Sequence, residues 1–270
     1  MALTKTPQEI EIMRRGGAIL SRALAAAAAL ARPGAIIRDL DAAAEASMRA
    51  EGAAPAFKGY QTAPSDPPFP STVCISVNQE VVHGLGNRGL ALREGDIVGL
   101  DIGCWYQGLC TDMAITVPVG KVSAEDRALM DATRAATLAG VAAAKVGNAI
   151  RDISAAVEGS ISAASGSASG GKPHGYGIVR ALVGHGVGHK VHEAPQVPNY
   201  VSPLYRNVKI TDGMCLAIEP MVTRGGWQVK TAPDEWTVVT VDGSRAAHFE
   251  LTVACTEQGT EILTPWPVGY

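Results

Sequence analysis

Cysteine is scarce in this chain and follows no pattern. The five copies, Cys74, Cys104, Cys110, Cys215 and Cys255, are odd in number, and no two stand in C-x-x-C spacing. That excludes a cysteine-built zinc finger and a disulfide framework, and reads as reduced thiols in a reducing compartment. An excess of positive charge is also missing. The net charge is −3 and the pI about 6.1, which argues against a nucleic-acid binder driven by basic patches, although a local patch stays open. No stretch reaches the ~20 uncharged apolar residues of a membrane span. What remains, 270 residues with 47% hydrophobic and 18% charged side chains, is enough for a globular core without staples.

One segment imitates an export signal. Arg14-Arg15 precedes an apolar run from Ala18 to Ala31, the order of a twin-arginine leader. Arg22 interrupts that run, however, and Ile10, Met13, Gly17, Leu20 and Leu24 recur at helical spacing. Thr6 reads as the cap, with Pro7 in the first turn, and Pro33-Gly34 as the stop. A retained amphipathic helix is the better reading.

The chain compares well with itself. Gly34 to Glu45 aligns with Gly147 to Glu158, with seven of twelve positions identical at an offset of 113. Each copy follows an alanine-rich run, 18–31 in the first and 124–145 in the second. Two copies are too few for a solenoid, so the expectation is one domain, 1–270, of two pseudo-repeats at about 6–120 and 121–265. Strands are expected over Val73–Val82, Asp96–Tyr106, Leu109–Val119, Ile178–Val183, Met214–Val222, Trp236–Val241, Ala247–Cys255 and Glu261–Leu263. Gln107-Gly108 is read as a hairpin turn, residues 61–72 as a proline-rich loop, and the Ser/Gly tract 164–173 as a mobile connection.

Four acids interrupt these apolar strands: Asp101, Asp112, Glu219 and Glu250. Across the hairpin, Asp101 is expected opposite Asp112 or one residue out of register. Partners on one face have Cβ atoms roughly 5 Å apart, and two carboxylates that close repel unless a cation or a shared proton lies between them. Solvated carboxylates on an exposed face are the alternative, but Val98, Leu100 and Ile102 are not surface residues. One buried acid could be a satisfied core group; four at matched places point to a metal site. The second half adds Gly184-His-Gly-Val-Gly-His-Lys-Val-His-Glu-Ala-Pro195. Its glycines argue against a helix-borne pair of His185 and His189, and suit individually aimed histidines.

The set Asp101, Asp112, His185, Glu219 and Glu250 resembles the five-ligand dinuclear site of the methionine aminopeptidases. Supporting motifs run through the chain: Thr6-Pro-Gln-Glu-Ile, the segment Val73 to Gly84, His192-Glu-Ala-Pro-Gln-Val-Pro, Met214 to Val222, and Trp236-Thr-Val. The resemblance covers nearly all of residues 6–265 and is to the short bacterial type I form. It implies an α+β pita-bread fold, a pseudo-twofold single domain with a curved antiparallel sheet flanked by helices. It implies release of the initiator methionine before a small second residue by a metal-bridging hydroxide. Two divalent ions (Co, Mn, Fe, Zn or Ni) would be held: Asp101 on one, Asp112 and Glu250 on both, His185 and Glu219 on the other. Glu219 would shuttle a proton, His83 would contact the scissile nitrogen, and His192 the carbonyl. Tyr60, Phe69, Cys74 and Trp236 would form the methionine pocket, with Val191 at its border and His189 outside the ligand set. Leu251 stands where many relatives have histidine, which puts the surroundings of Glu250 in question, and residues 62–68 look like an insertion beside the pocket. The implied setting is a cytoplasmic monomer acting on nascent chains, near the ribosome exit, with no nucleic-acid substrate and no membrane. The initial Met1-Ala2 suits self-processing. Two other readings stay open. A proline-specific peptidase on the same fold usually carries an extra N-terminal domain, and a non-catalytic binding protein would typically have lost ligands.

Overall fold

A computed structural model describes residues 3–61, 63–64, 66–168 and 175–269. The first half runs α1 (Pro7–Ala28), α2 (Ile37–Ala50), β1 (Ala54–Pro55), β2 (Val73–Val77), β3 (Glu80–Val82), β4 (Ile97–Tyr106) and β5 (Leu109–Pro118). The second runs α3 (Ala124–Ala143), α4 (Ile150–Ala168), β6 (Gly177–Ile178), β7 (Gly184–Gly186), β8 (Glu193–Val197), β9 (Met214–Ile218), β10 (Met221–Thr223), β11 (Val229–Thr231), β12 (Val238–Thr240), β13 (Ala246–His248), β14 (Glu250–Thr256) and β15 (Gly259–Ile262). Helix α1 starts as its sequence dictates. Thr6 and Glu9 form a reciprocal capping box with Pro7 in the first turn, and the Ile10–Met13–Gly17–Leu20–Leu24 stripe is buried. At Gly17 a Cβ would stand 2.0 Å from the Leu263 carbonyl oxygen, so only glycine lets the strand end lie on the helix. Arg14 pairs with Glu261, and Arg15 with Glu11, on that helix's outer face.

The main sheet follows the path β1-β4-β5-β14-β9-β7-β8, with β2 on β4 and β15 on β14. All its pairings are antiparallel. Side chains alternate between its faces. Leu100, Ile102, Met113, Ile115, Leu216, Ile218, Leu251 and Val253 join the core cluster shared with the helices. Their neighbours of opposite parity, Asp101, Asp112 and Glu250, line a cavity on the other face. This is the α+β architecture of a curved antiparallel sheet flanked by helices.

Several expected strands are shorter or divided, three of them at an identifiable residue. Val73–Val82 breaks at Asn78, whose φ is 60° and whose side chain bonds Asp96 and the Ile97 amide. Met214–Val222 breaks at Pro220, which has no amide to give to a ladder. Ala247–Cys255 breaks at Phe249, where the chain leaves a small sheet with β10 and enters the main one. Ile178–Val183 is strand only over Gly177–Ile178, and Trp236–Val241 only over Val238–Thr240. Helix α4 continues to Ala168, so the first part of the Ser/Gly tract is helical; the rest of it lies outside the described residues, as do positions 62 and 65 of the insertion.

Candidate metal centre

Strand register builds the site. Tyr106 pairs with Leu109 around Gln107 and Gly108, both at positive φ. Counting outward pairs Asp101 with Ala114 and Gly103 with Asp112. The two aspartates are therefore diagonal, two residues out of register, rather than opposite or one residue apart, and they still share a face. Cys74 pairs with Asp101, and Glu250 with Ala114. One row thus reads Cys74, Asp101, Ala114, Glu250 across four strands. The next row carries Gly103 and Asp112, and further along it Thr252, Ala217 and His185, the last two paired. Thr252 ties its strand to Asp112, taking a hydrogen bond from the Asp112 amide and giving one to its carbonyl. Glu219 follows β9 directly, and its Oε1 lies 3.3 Å from His185 Nε2. Phe57 and Ala56 fill the space over Gly103, and the small spacer between Asp101 and Glu250 is Ala114.

The electrostatics of the row call for a cation. Asp101, Asp112 and Glu250 are buried, and Asp101 Oδ1, Asp112 Oδ1 and Glu250 Oε1 have no hydrogen-bond partner. Burial pushes the Asp101 carboxyl up to about 7. It raises Asp112, Glu219 and Glu250 well above the carboxylate range, and their mutual repulsion adds to the effect. Ligand atoms of Asp112, His185 and Glu250 all fall within 4.8 Å of one another. His185 Nδ1 lies 3.0 Å from the Gly186 carbonyl, which fixes the proton there and leaves Nε2 as a lone-pair donor. Burial depresses this histidine to about 3, holding it neutral. Orphaned carboxylate oxygens beside a neutral imidazole fit divalent cations.

All five of these residues, with His83, His192, Tyr60, Phe69, Cys74 and Trp236, line one cavity enclosing about 570 Å³ of unfilled space, part of it open to solvent. Tyr60 Oη lies 2.9 Å from His192 Nδ1, and the His185 and His192 rings meet edge-on at 4.5 Å. Phe69 and Trp236 make a second edge-on pair at 5.2 Å. His83 holds a positive φ of 57°, a strained conformation for a non-glycine residue, and burial depresses its ring to about 4. Val191 is not at the cavity wall; it packs behind it in a cluster with Tyr60 and Phe57. His189 turns away and bonds Glu9 at 2.7 Å. Leu251, of opposite parity to Glu250, is buried among the helices and cannot touch the acid row from where it stands.

Two residues escaped the sequence reading. Phe57 lines the cavity, and nothing in its sequence surroundings marks it. His248 is buried, with Nε2 unpartnered and 3.9 Å from Glu219 Oε2. Its place two residues before Glu250 was the available signal.

Comparison with known proteins gives the family of the chain. Residues 11–257 match metallopeptidase family M24. The chain is 42% identical to the methionine aminopeptidase of Clostridium acetobutylicum, over 98% of this chain and 99% of the relative. It is 41% identical to methionine aminopeptidase 1 of Bacillus subtilis, with the same coverage. The methionine aminopeptidase of Thermotoga maritima superposes with a TM-score of 0.88 at 39% identity, covering 97% of this chain and 98% of that one. Prolidase from Pyrococcus furiosus superposes at 0.72 with 25% identity, and 65% of its length is covered.

Proposed function

Because the chain belongs to metallopeptidase family M24, and within it to the short bacterial methionine aminopeptidases, we propose that the acid row over its sheet is a dinuclear centre at which an N-terminal methionine is cut off. The chain is a metal-dependent aminopeptidase with the pita-bread fold, and its substrates are peptides that begin with methionine. The observation that carries the mechanistic reading is the set of partnerless carboxylate oxygens beside His185. Asp101 would hold one ion, Asp112 and Glu250 both, and His185 with Glu219 the other. Bound there, divalent ions of the Co, Mn, Fe, Zn or Ni class supply Lewis acidity and lower the pKa of water.

The protein's own groups do the rest. Glu219, whose affinity for a proton is raised by burial, takes the proton from the attacking water and returns it to the leaving amine. With the Tyr60 hydroxyl as donor to His192 Nδ1, the neutral ring would present Nε2–H to the carbonyl oxygen and steady the charge that develops on it. His83, also neutral, contacts the scissile nitrogen. Tyr60, Phe69, Cys74 and Trp236, joined by Phe57, surround the methionine side chain and keep water from it. The same reading limits the second residue to a small one, and His83 and His192, which both line the cavity, are the groups it would lie against. The same reading makes nascent chains near the ribosome exit the substrates, in the cytoplasm, for a monomeric enzyme.

Methionine release from Met-Ala-Ser is the test. Chelated protein is expected to be inactive, divalent metal to restore release, and Asp112→Ala to lower the restored rate at least about 100-fold while the protein stays folded. Release that survives both chelation and Asp112→Ala contradicts the proposal.

A further inference from the structure

Beyond the inner cavity a second depression opens along β8, the last strand on the main path of the sheet. It holds about 1250 Å³ of space, much of it open to solvent, roughly twice that of the cavity. Leu3, Pro195, Gln196, Arg206 and Val208 line it. So do His185 and His192, which also line the inner cavity. Two shared histidines make the depression a continuation of the active site.

Strand pairing gives the same result. Gln196 pairs with His185, and partners in an antiparallel ladder share a face. The ligand-bearing face of the sheet therefore runs on to the strand's outer edge. Along β8, Ala194 and Gln196 are exposed while Pro195 and Val197 are buried. Arg206 is exposed in this groove. Arg206 makes no ion pair among the described residues, so its guanidinium is available to an anion from outside.

An enzyme that removes only the first residue must still accommodate the chain beyond the scissile bond. With the carbonyl held at His192, that chain leaves the cavity past His192, where the groove begins. We infer that the groove along β8 receives the substrate's downstream segment and that Arg206 gives it a preference for an acidic side chain. The inference rests on the aminopeptidase reading. The occupant is an extended polypeptide continuous with the methionine being removed.

The experiment compares Met-Ala peptides carrying Glu or Lys at each position from the third to the sixth, cleaved by metal-loaded wild type, Arg206→Glu and Arg38→Glu. Arg38 is exposed on α2, in the other half of the molecule, so its substitution makes the same change in net charge. Wild type and Arg38→Glu are expected to favour Glu over Lys about three- to fivefold in kcat/KM at one or more positions, the scale of a single solvent-exposed ion pair. Arg206→Glu is expected to abolish or invert that preference. A preference that is absent, or equal in wild type and Arg206→Glu, overturns the assignment and leaves the groove to another occupant such as a docked protein. Met-Ala-Ser, which lacks either charge, separates the two levels: its failure in wild type strikes the aminopeptidase reading, not the groove.

Discussion

Ala114 occupies the position between Asp101 and Glu250 on adjoining strands, and that one small residue keeps the acid row from closing on itself. At this scale the sequence was generous. Three of the acids stand in apolar strands and Glu219 directly follows one, and burial of a carboxylate is too costly to recur four times without a use. Side-chain partners were not legible. Nothing in the spacing ties Tyr60 to His192, 132 positions away, or sets Phe57 over Gly103; both residues lie just after β1, which pairs with β4 beside Gly103. The Tyr60 contact makes a prediction. Tyr60→Phe removes the donor that fixes the His192 tautomer, so kcat on Met-Ala-Ser is expected to fall about tenfold with KM little changed, as for other groups that orient a functional histidine. Steady-state kinetics check this, and an unchanged kcat would mean that His192 needs no such orientation.

Among the elements, α1 was the most legible, because cap, proline and apolar stripe all agree. Its Glu9 also reaches the histidine segment through His189, and Lys5, just ahead of the cap, makes a buried ion pair with Glu193, next to His192. The helix start thus braces the segment that carries His192, the residue proposed to hold the substrate carbonyl, a tertiary link no local pattern announces. Hydrogen bonds from the Thr6 backbone and from His189 lower the Glu9 carboxyl from 4.5 to about 2. A depressed acid stabilises the fold above its unfolded-state pKa, and the contribution is lost as pH falls toward the folded-state value. Glu9→Gln is therefore expected to lower stability by about 1 kcal/mol at neutral pH, the usual worth of a capping interaction. Denaturant melts should show that gap shrinking between pH 4.5 and 2; a gap that persists at the acid end would assign it to packing instead. Strand lengths were the least legible feature, because Asn78, Pro220 and Phe249 break ladders at points where the apolar run itself continues.

For the whole molecule, we propose that the halves at about 6–120 and 121–265 are pseudo-repeats of one domain. Helices α2 and α4 begin at Ile37 and Ile150, 113 positions apart. The residues just before them, Ile36 and Ala149, each form an isolated antiparallel bridge, to Ala91 and Lys209. The candidate ligands divide between the halves: Asp101 and Asp112 come from the first, His185, Glu219 and Glu250 from the second, meeting where β5 pairs with β14. Metal bound only by the folded state stabilises it by mass action. The most direct measurement is anomalous diffraction from crystals grown with Mn(II) or Co(II). The account predicts two peaks, both contacted by Asp112 and Glu250, one also by Asp101 and the other by His185 and Glu219. A single peak at full occupancy, or peaks out of reach of this row, would contradict it.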